Sequence, residues 1–593
     1  MLQTKIDEFI SYLKTENNLT KLATKLNIPF SACMAIASVL EQAGIIQITY
    51  PINILEPPKV TFLGYPEIKT QKQISEENKA KNVISTYTFK ADQVPVSVEI
   101  IDLAQYKLYS ISLVELSVGT KIFLDQIKEI MVKEVPPEAS EVADVEKMMG
   151  IREKFHKKIK EHLSQYYLGG EVTDILAGLL LHKMFGLGEI DLINKDDMLE
   201  EIAINNSKDP IAVYHRKYGW LKTNIYMPDE TSIFNYASQI ARRVGRQIAT
   251  LTPILDARLE TGDRVCATLS PISSHGNTIT IRRFARVPWT IISLISEPAH
   301  TMNFEMAAML WQAFHYEMNL MVVGGTASGK TSALNALASF IPPNQRIITI
   351  EDTRELMLPK YQWNWVPLLT RLPNPEGQGE VTMLDLIVTS LRMRPDRIIV
   401  GEIRKQREAE VAFEAMHTGH SVYSTFHADT AAQAIRRLTT PPINLPPTDL
   451  DTMHLLVVQF RDRRRNLRRT LEIAEIPEGS GEGILEPNII YRWRPRTDTW
   501  ERVGEPIRFY KELNLHTGMT KEQIEKDNKK RQTILKWMVK NSITQIDEVG
   551  KIFSLYYSNP EEIYEIAHSN LAKTEAEKLE VEEIMQKKIE KEV

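Results

Sequence analysis

The stretch Gly324-Gly-Thr-Ala-Ser-Gly-Lys-Thr331 has the residue types needed to hold a chain of phosphates. Gly324 and Gly329 let the backbone wrap so that its N–H groups face an anion at a helix start. Lys330 is spaced to reach the β- and γ-phosphates, and the Thr331 hydroxyl to help hold Mg²⁺. Gly325, Thr326, Ala327, Ser328 and Ser332 complete the expected nucleotide lining. Two later runs end in carboxylates. Arg346-Ile-Ile-Thr-Ile-Glu-Asp352 offers Glu351 and Asp352 to orient or deprotonate a water, with Glu351 favoured. Asp396-Arg-Ile-Ile-Val-Gly-Glu402 offers Glu402 as a Mg²⁺ ligand, directly or through water. In a third run, His420 and His427 flank Ser421 to Phe426, and both are candidates to sense a γ-phosphate. These residues imply binding and hydrolysis of a nucleoside triphosphate.

Such groups converge only if the intervening chain aligns them. Met321 to Val323 reads as a buried strand running into the glycine-rich turn, and Ser332 onward has helical spacing. The apolar runs before Glu351, Glu402 and His427 alternate with helical patterns, as in a doubly wound parallel sheet. Ligands in such sheets sit at the carboxyl ends of the strands, where these side chains emerge. The expected fold class is α/β, with a doubly wound P-loop motor domain.

At 593 residues the chain is too long for one core. The expected divisions are a winged-helix-like module (1–60), a small α+β domain (61–148), an α/β domain (149–298), the motor (299–480) and a hairpin with helices (481–593). Residues 65–85 and the Pro136-Pro137 stretch read as linkers, and Arg152 to Glu161 as a solvated helix face. The second helix of the first module, Ser31 to Ala43, has no Lys or Arg, which argues for protein docking over DNA reading. Ahead of the motor, Arg258, Arg264, Arg282 and Arg283 fall on strands or turns and could reach phosphate or pair at an interface. The run Arg461 to Arg469 reads as a hairpin with a solvated basic turn. A net charge of −5 gives no global attraction to nucleic acid. The two cysteines, Cys33 and Cys266, fit no metal spacing, which suits a reducing compartment. No secretory signal is read at Met1, and the apolar stretch Ile175 to Ile193 is broken by charge, so membrane contact is expected to be peripheral.

Taken in order, Gly324 to Thr331, Ile350 to Leu356, Gly401 to Arg404 and Thr418 to Ala428 resemble the Walker A, Asp-box, Walker B and His-box of a known family. The chain resembles the ATPases of type II secretion systems, type IV pili and archaella, closest to the archaeal and type IV secretion branches. The resemblance covers about residues 150–480. It implies a RecA-like motor, a cytoplasmic ATPase driving filament assembly or protein export, a homohexameric ring with ATP between protomers, and an integral-membrane platform protein as partner. It also implies that arginines of the preceding domain, such as Arg264, Arg282 and Arg283, complete the ATP pocket. Two departures favour an archaeal-type assembly or secretion motor: the chain cannot build the four-cysteine zinc site of many bacterial members, and it has about 150 extra N-terminal residues. The alternatives are a nucleic-acid translocase and a non-enzymatic nucleotide-binding module.

Overall fold

The computed structural model describes residues 2–51, 57–65, 82–114, 116–134, 145–185, 189–259, 261–283, 288–373, 377–478 and 486–571. Most of the expected 65–85 linker, the Pro136 boundary and the end of the C-terminal tail lie outside the described residues. The chain forms two compact units, Met1–Phe284 and Ala285–Val593.

In the first unit, a capping box between Thr4 and Asp7 starts the helix Lys5–Tyr12. Leu19–Leu26 and Phe30–Gln42 follow, and Ile46–Thr49 pairs antiparallel with Lys59–Phe62 as a wing. The core of this module does not close on itself. Ile6, Phe9, Ile36 and Leu40 share one apolar cluster with Phe123, Leu124 and Ile127 and with Ile159, Leu176 and Leu180. Thr4 and Thr120 hydroxyls meet at 2.8 Å across the same junction.

The unit's nine-stranded sheet runs through residues on both sides of the expected boundary at 148. Its order is Asn82–Ala91, Val94–Asp102, Lys107–Leu113, Gly219–Tyr226, Pro210–His215, Leu199–Ile204, Thr278–Arg282, Arg264–Thr268 and Ile254–Arg258. Pairing is antiparallel except where Lys107–Leu113 lies parallel to Gly219–Tyr226. In the last three strands Arg264 is directly opposite both Arg258 and Arg282.

The second unit is built on another nine-stranded sheet. Trp365–Leu369, Ile347–Glu351, Arg397–Val400, Ser421–Phe426, Leu320–Gly324 and Leu455–Asp462 are parallel. Leu320–Gly324, Ile347–Glu351, Arg397–Val400 and Ser421–Phe426 are buried along their whole length, so the first three read as mainly apolar runs, whereas Ser421–Phe426 buries Ser424 and Thr425 among its apolar residues. Leu467–Glu475, Asn488–Arg494 and Thr499–Arg502 then extend the sheet antiparallel, past residue 480. The basic run is thus a hairpin, as expected, but its arginines are not all solvated. Arg465 pairs with Asp462, while Arg469 is 6% exposed and holds Asp498 through two bonds of 2.8 and 2.7 Å.

The helices Arg508–Thr517, Lys521–Lys540 and Ile546–Ser558 belong to the motor core rather than trailing from it. Trp311, on Phe304–His315, stacks on Phe340 at 5.3 Å and meets Phe553 at 4.8 Å. The buried Arg531 guanidinium sits 5.0 Å from the Trp311 ring and pairs with Asp527 at 2.7 Å.

The shared apolar cluster gives a test. Residues 1–63 expressed alone are expected to show no cooperative thermal transition by circular dichroism, whereas 1–284 is expected to unfold in one. A sharp transition in the short fragment would mean that the module's own core suffices.

Candidate active site

Parallel register brings the motif residues to one edge. Val323 pairs with Phe426, Val400 with Ser424 and Ile350 with Val400, so Gly324, His427, Glu402 and Glu351 all emerge at the carboxyl ends of neighbouring strands. The His427 strand lies between the P-loop strand and the Glu402 strand, with the Glu351 strand beyond.

The loop after Gly324 turns tightly. A Cβ on Gly324 would lie 2.4 Å from the Gln459 carbonyl oxygen and 2.4 Å from Ser328 Oγ. Ala327 and Gly329 take φ of 58° and 92°, and Gly329 caps the helix Lys330–Ala338 without a side chain. The result is a helix start whose N–H groups are open to an anion. Lys330 is 8% exposed; its Nζ donates to the carbonyls of Gly324 and Gly325 at 3.0 and 3.1 Å. That Nζ also lies 3.5 Å from His427 Nδ1.

His427 Nε2 is 3.1 Å from Glu402 Oε1, close enough for an ion pair but without hydrogen-bond alignment. Burial and then the nearby Lys330 charge lower the His427 pKa, against the opposing pull of Glu402. A neutral ring with its proton on Nε2, facing Glu402, and its lone pair on Nδ1, facing Lys330, suits both neighbours. Arg404 anchors the acids from the other side. Its Nε donates to Glu402 Oε2 at 2.7 Å and its Nη1 to Asp352 at 2.9 Å.

Glu351 and Asp352 differ sharply. Asp352 is paired with Arg404 and partly exposed, whereas Glu351 is 2% exposed. Glu351 Oε1 accepts from the backbone N–H groups of Glu355 and Leu356 at 2.8 and 2.9 Å, and Oε2 is buried with no hydrogen-bond partner. Burial pushes this carboxyl up to about 7, against those two N–H bonds. A carboxyl so placed can exchange a proton near neutral pH.

Within the second unit one expected residue, His420, stands apart from this cluster. His420 is at the opposite end of the Ser421–Phe426 strand, with Nδ1 near the Thr418 hydroxyl (3.1 Å) and the Ala415 carbonyl (3.3 Å). A strand of six residues carries its two ends some 20 Å apart, so only one flanking histidine can reach the edge. In the first unit, Arg283 has a 3% exposed side chain; it donates to the Leu199 carbonyl at 3.0 Å and lies 3.5 Å from Asp197. Arg264 forms a two-pronged bond to Asp256, at 3.1 and 2.7 Å, on the exposed side of its strand.

Residues that sequence reasoning passed over also reach the edge. Arg468, within the basic run, donates to the Ala327 carbonyl at 3.2 Å. Arg437 donates to the His427 carbonyl and lies 5.3 Å from the Phe426 ring centre. Arg404 stood inside a quoted motif without a role. Only the order of strands, which local pattern does not encode, reveals these neighbours.

A glycine-rich loop at a strand–helix junction, with acids at the ends of neighbouring parallel strands, defines a P-loop nucleoside triphosphatase with a RecA-like sheet. Residues 197–458 match the family model described as type II/IV secretion system protein. The chain is 31% identical over 528 residues to the uncharacterized protein MJ0900 of Methanocaldococcus jannaschii, covering 85% of this chain and 90% of that one. It is 32% identical over 329 residues to the type IV secretion system protein PtlH of Bordetella pertussis, covering 52% and 91%. A crystal structure of the VirB11 ATPase from the Brucella suis type IV secretion system, in complex with sulphate, aligns at 25% identity and a TM-score of 0.25, over 47% of this chain and 90% of that chain. The chain belongs to the type II/IV secretion system protein family, and it is an ATPase.

Two predictions follow from the geometry. Gly324→Ala is expected to abolish nucleotide binding, measured with a fluorescent nucleotide, because the methyl collides with backbone; retained affinity would refute the packing argument. The folded Glu351 carboxyl binds its proton up to about pH 7, against an ordinary value of 4.5, so stability falls as pH rises through that window. Between about pH 5 and 8 the parent is expected to lose on the order of 2–3 kcal/mol relative to Glu351→Gln. Denaturant melts of the two proteins with parallel pH dependence would contradict it.

Proposed function

We propose that this ATPase is a Mg²⁺-dependent motor that uses ATP hydrolysis to drive assembly of a pilus-like filament or export of protein through a type II/IV secretion system. The observation that carries this reading is the convergence of Lys330, His427, Glu402 and Glu351 on one sheet edge beside a helix N-terminus. The reading is consistent with the family, within which PtlH is a type IV secretion system protein.

In this mechanism the P-loop residues Gly324 to Ser332 cradle the triphosphate, and Lys330 leaves the Gly324 and Gly325 carbonyls for the β- and γ-phosphates. Thr331 and Glu402 would hold Mg²⁺; the buried Glu402 Oε1, lacking a hydrogen-bond partner, suits a cation ligand. The metal would supply neutralisation of the charge that builds up on the phosphates. Glu351 takes a proton from a water whose oxygen attacks the γ-phosphorus. The β–γ bond breaks, leaving ADP and inorganic phosphate. His427, between Lys330 and Glu402, follows the change in charge. His420 is assigned no part.

Arg264 and Arg282 are assigned as donors to nucleotide phosphate in an assembled homohexameric ring. Like charges placed opposite each other on a sheet repel, so the Arg258–Arg264–Arg282 row favours an anion. Arg283 is left out, being engaged with Asp197 and the Leu199 carbonyl. Among the described residues no single helix is long and apolar enough to cross a membrane. In this reading the motor works in the cytoplasm, peripheral to the membrane, with an integral-membrane platform protein as its partner, as the family resemblance implies. The N-terminal module, whose helix Phe30–Gln42 carries no basic residue, is assigned to protein docking.

Steady-state ATP turnover tests this scheme. Lys330→Ala is expected to lose nucleotide binding. Glu351→Gln should keep ADP affinity within a few-fold while kcat falls by roughly 10²–10⁴. Parent kcat should rise with pH through about 7, where Glu351 becomes the carboxylate, and the variant should lose that limb. Chelation should stop turnover and Mg²⁺ restore it. Unchanged kcat in Glu351→Gln would remove that residue's role, and strong stimulation by DNA would favour a translocase.

A further inference from the structure

Beside the Glu402 edge lies a cavity of about 230 Å³, lined by Glu402, Ile403, Arg404, Phe426, His427, Arg437 and the Pro441–Ile443 turn. We propose that this cavity is a binding site for inorganic phosphate, the second product of hydrolysis, on a route out that passes His427 rather than the nucleotide. The site stands on the hydrolytic reading above, since only hydrolysis would place a free phosphate at Lys330.

Position is the first reason. His427 is part of the cavity wall, and the same ring has its Nδ1 3.5 Å from Lys330 Nζ. One imidazole therefore stands between the ammonium that holds the γ-phosphate and the cavity. A nucleotide bound on the P-loop closes the opposite side of the γ-phosphate with its own β-phosphate. A rotation of His427 about its side-chain bonds is a small motion compared with release of the whole nucleotide.

Charge is the second. The lining carries two guanidiniums, Arg404 and Arg437, against one carboxylate, Glu402, which Arg404 already neutralises at 2.7 Å. Arg437 is held ready: it donates to the His427 carbonyl and stacks 5.3 Å from the Phe426 ring centre. A guanidinium has five N–H donors in a fixed fork, so the edge not bound to that carbonyl can clasp a tetrahedral oxyanion. Ile403, Phe426, Ile443 and the two prolines form the rest of the wall. Apolar walls lower the local dielectric and strengthen such a pair.

Size is the third. Nucleotide- and drug-sized ligands use pockets of roughly 300–1,000 Å³, so this cavity is too small for a nucleotide. It holds a phosphate with a few waters at about 30 Å³ each.

The test is titration of inorganic phosphate into the ADP-bound full chain, followed by calorimetry, with Arg437→Gln and Arg437→Lys alongside the parent. Expected is a saturable phosphate site in the parent, weakened tenfold or more in Arg437→Gln and largely restored in Arg437→Lys, with ADP affinity the same in all three. In turnover assays the parent should show phosphate inhibition that excess ATP does not relieve, and Arg437→Gln should lose that inhibition. Should Arg437→Gln lose turnover through its hold on His427, the titration still decides. Phosphate affinity equal in parent and Arg437→Gln, or no saturable phosphate binding to the ADP complex, overturns the site while leaving the ATPase intact. A parent that binds no ADP would instead sink the hydrolytic reading itself.

Discussion

Two parallel strands can pair only with both carbonyl ends on the same side, and each pair here adds its ends to one edge. Leu320–Gly324 pairs with Ser421–Phe426, which pairs with Arg397–Val400, which pairs with Ile347–Glu351. With neighbouring strands 4.7–4.9 Å apart, about 15 Å of edge carries the glycine loop, one imidazole and two carboxylates. Full burial of these strands pins their register, because no solvent face is left to accommodate a slip. Every contact at the edge, from Lys330 to His427 to Glu402, depends on that alignment. The strand beyond the P-loop adds a further constraint: its Gln459 carbonyl presses so close to Gly324 that only glycine fits.

The edge is also an electrostatic balance. Lys330 is satisfied by two carbonyls, Glu402 by Arg404, and Asp352 by the same Arg404. Glu351 is the exception. Two backbone N–H groups favour its charge, but burial outweighs them and holds its pKa near 7. The protein bears the cost of a buried carboxyl at this one position. A group with no partner for one oxygen and a pKa near ambient pH is what proton abstraction from water requires.

Much of this was legible in the residues. The loop from Gly324 to Thr331, the acids at strand ends and the parallel α/β class could be read because burial on both faces leaves mainly apolar runs and a P-loop needs fixed spacing. What could not be read depends on strand order. His420 and His427 look equivalent in the chain, yet a strand between them sends one to each end of the sheet. Arg468 and Asp462 sit in a run that looks like a solvated charge cluster. Only the placement of that hairpin beside the P-loop strand turns Arg468 towards Ala327. The N-terminal module looked separable at residue 60 because two helices and a strand are followed by a polar stretch that reads as a linker, whereas its apolar faces are completed by Phe123 and Leu176 from much later in the chain.

The arginines ahead of the motor show the same limit from the other direction. By sequence, Arg258, Arg264, Arg282 and Arg283 are interchangeable candidates. Antiparallel register sets the first three abreast, whereas Arg283 follows the strand end and turns inward to the Leu199 carbonyl. An inward arginine satisfied by carbonyls is a structural tie. Three abreast on a solvent-facing surface repel one another unless acids answer them, and the structure answers Arg264 with Asp256 and sets Glu201 opposite Arg282. Burial raises the Glu201 carboxyl, with Arg282 pulling the other way. Register, rather than the mere presence of arginine, is what separates the three that share one row from the one that ties down its own domain.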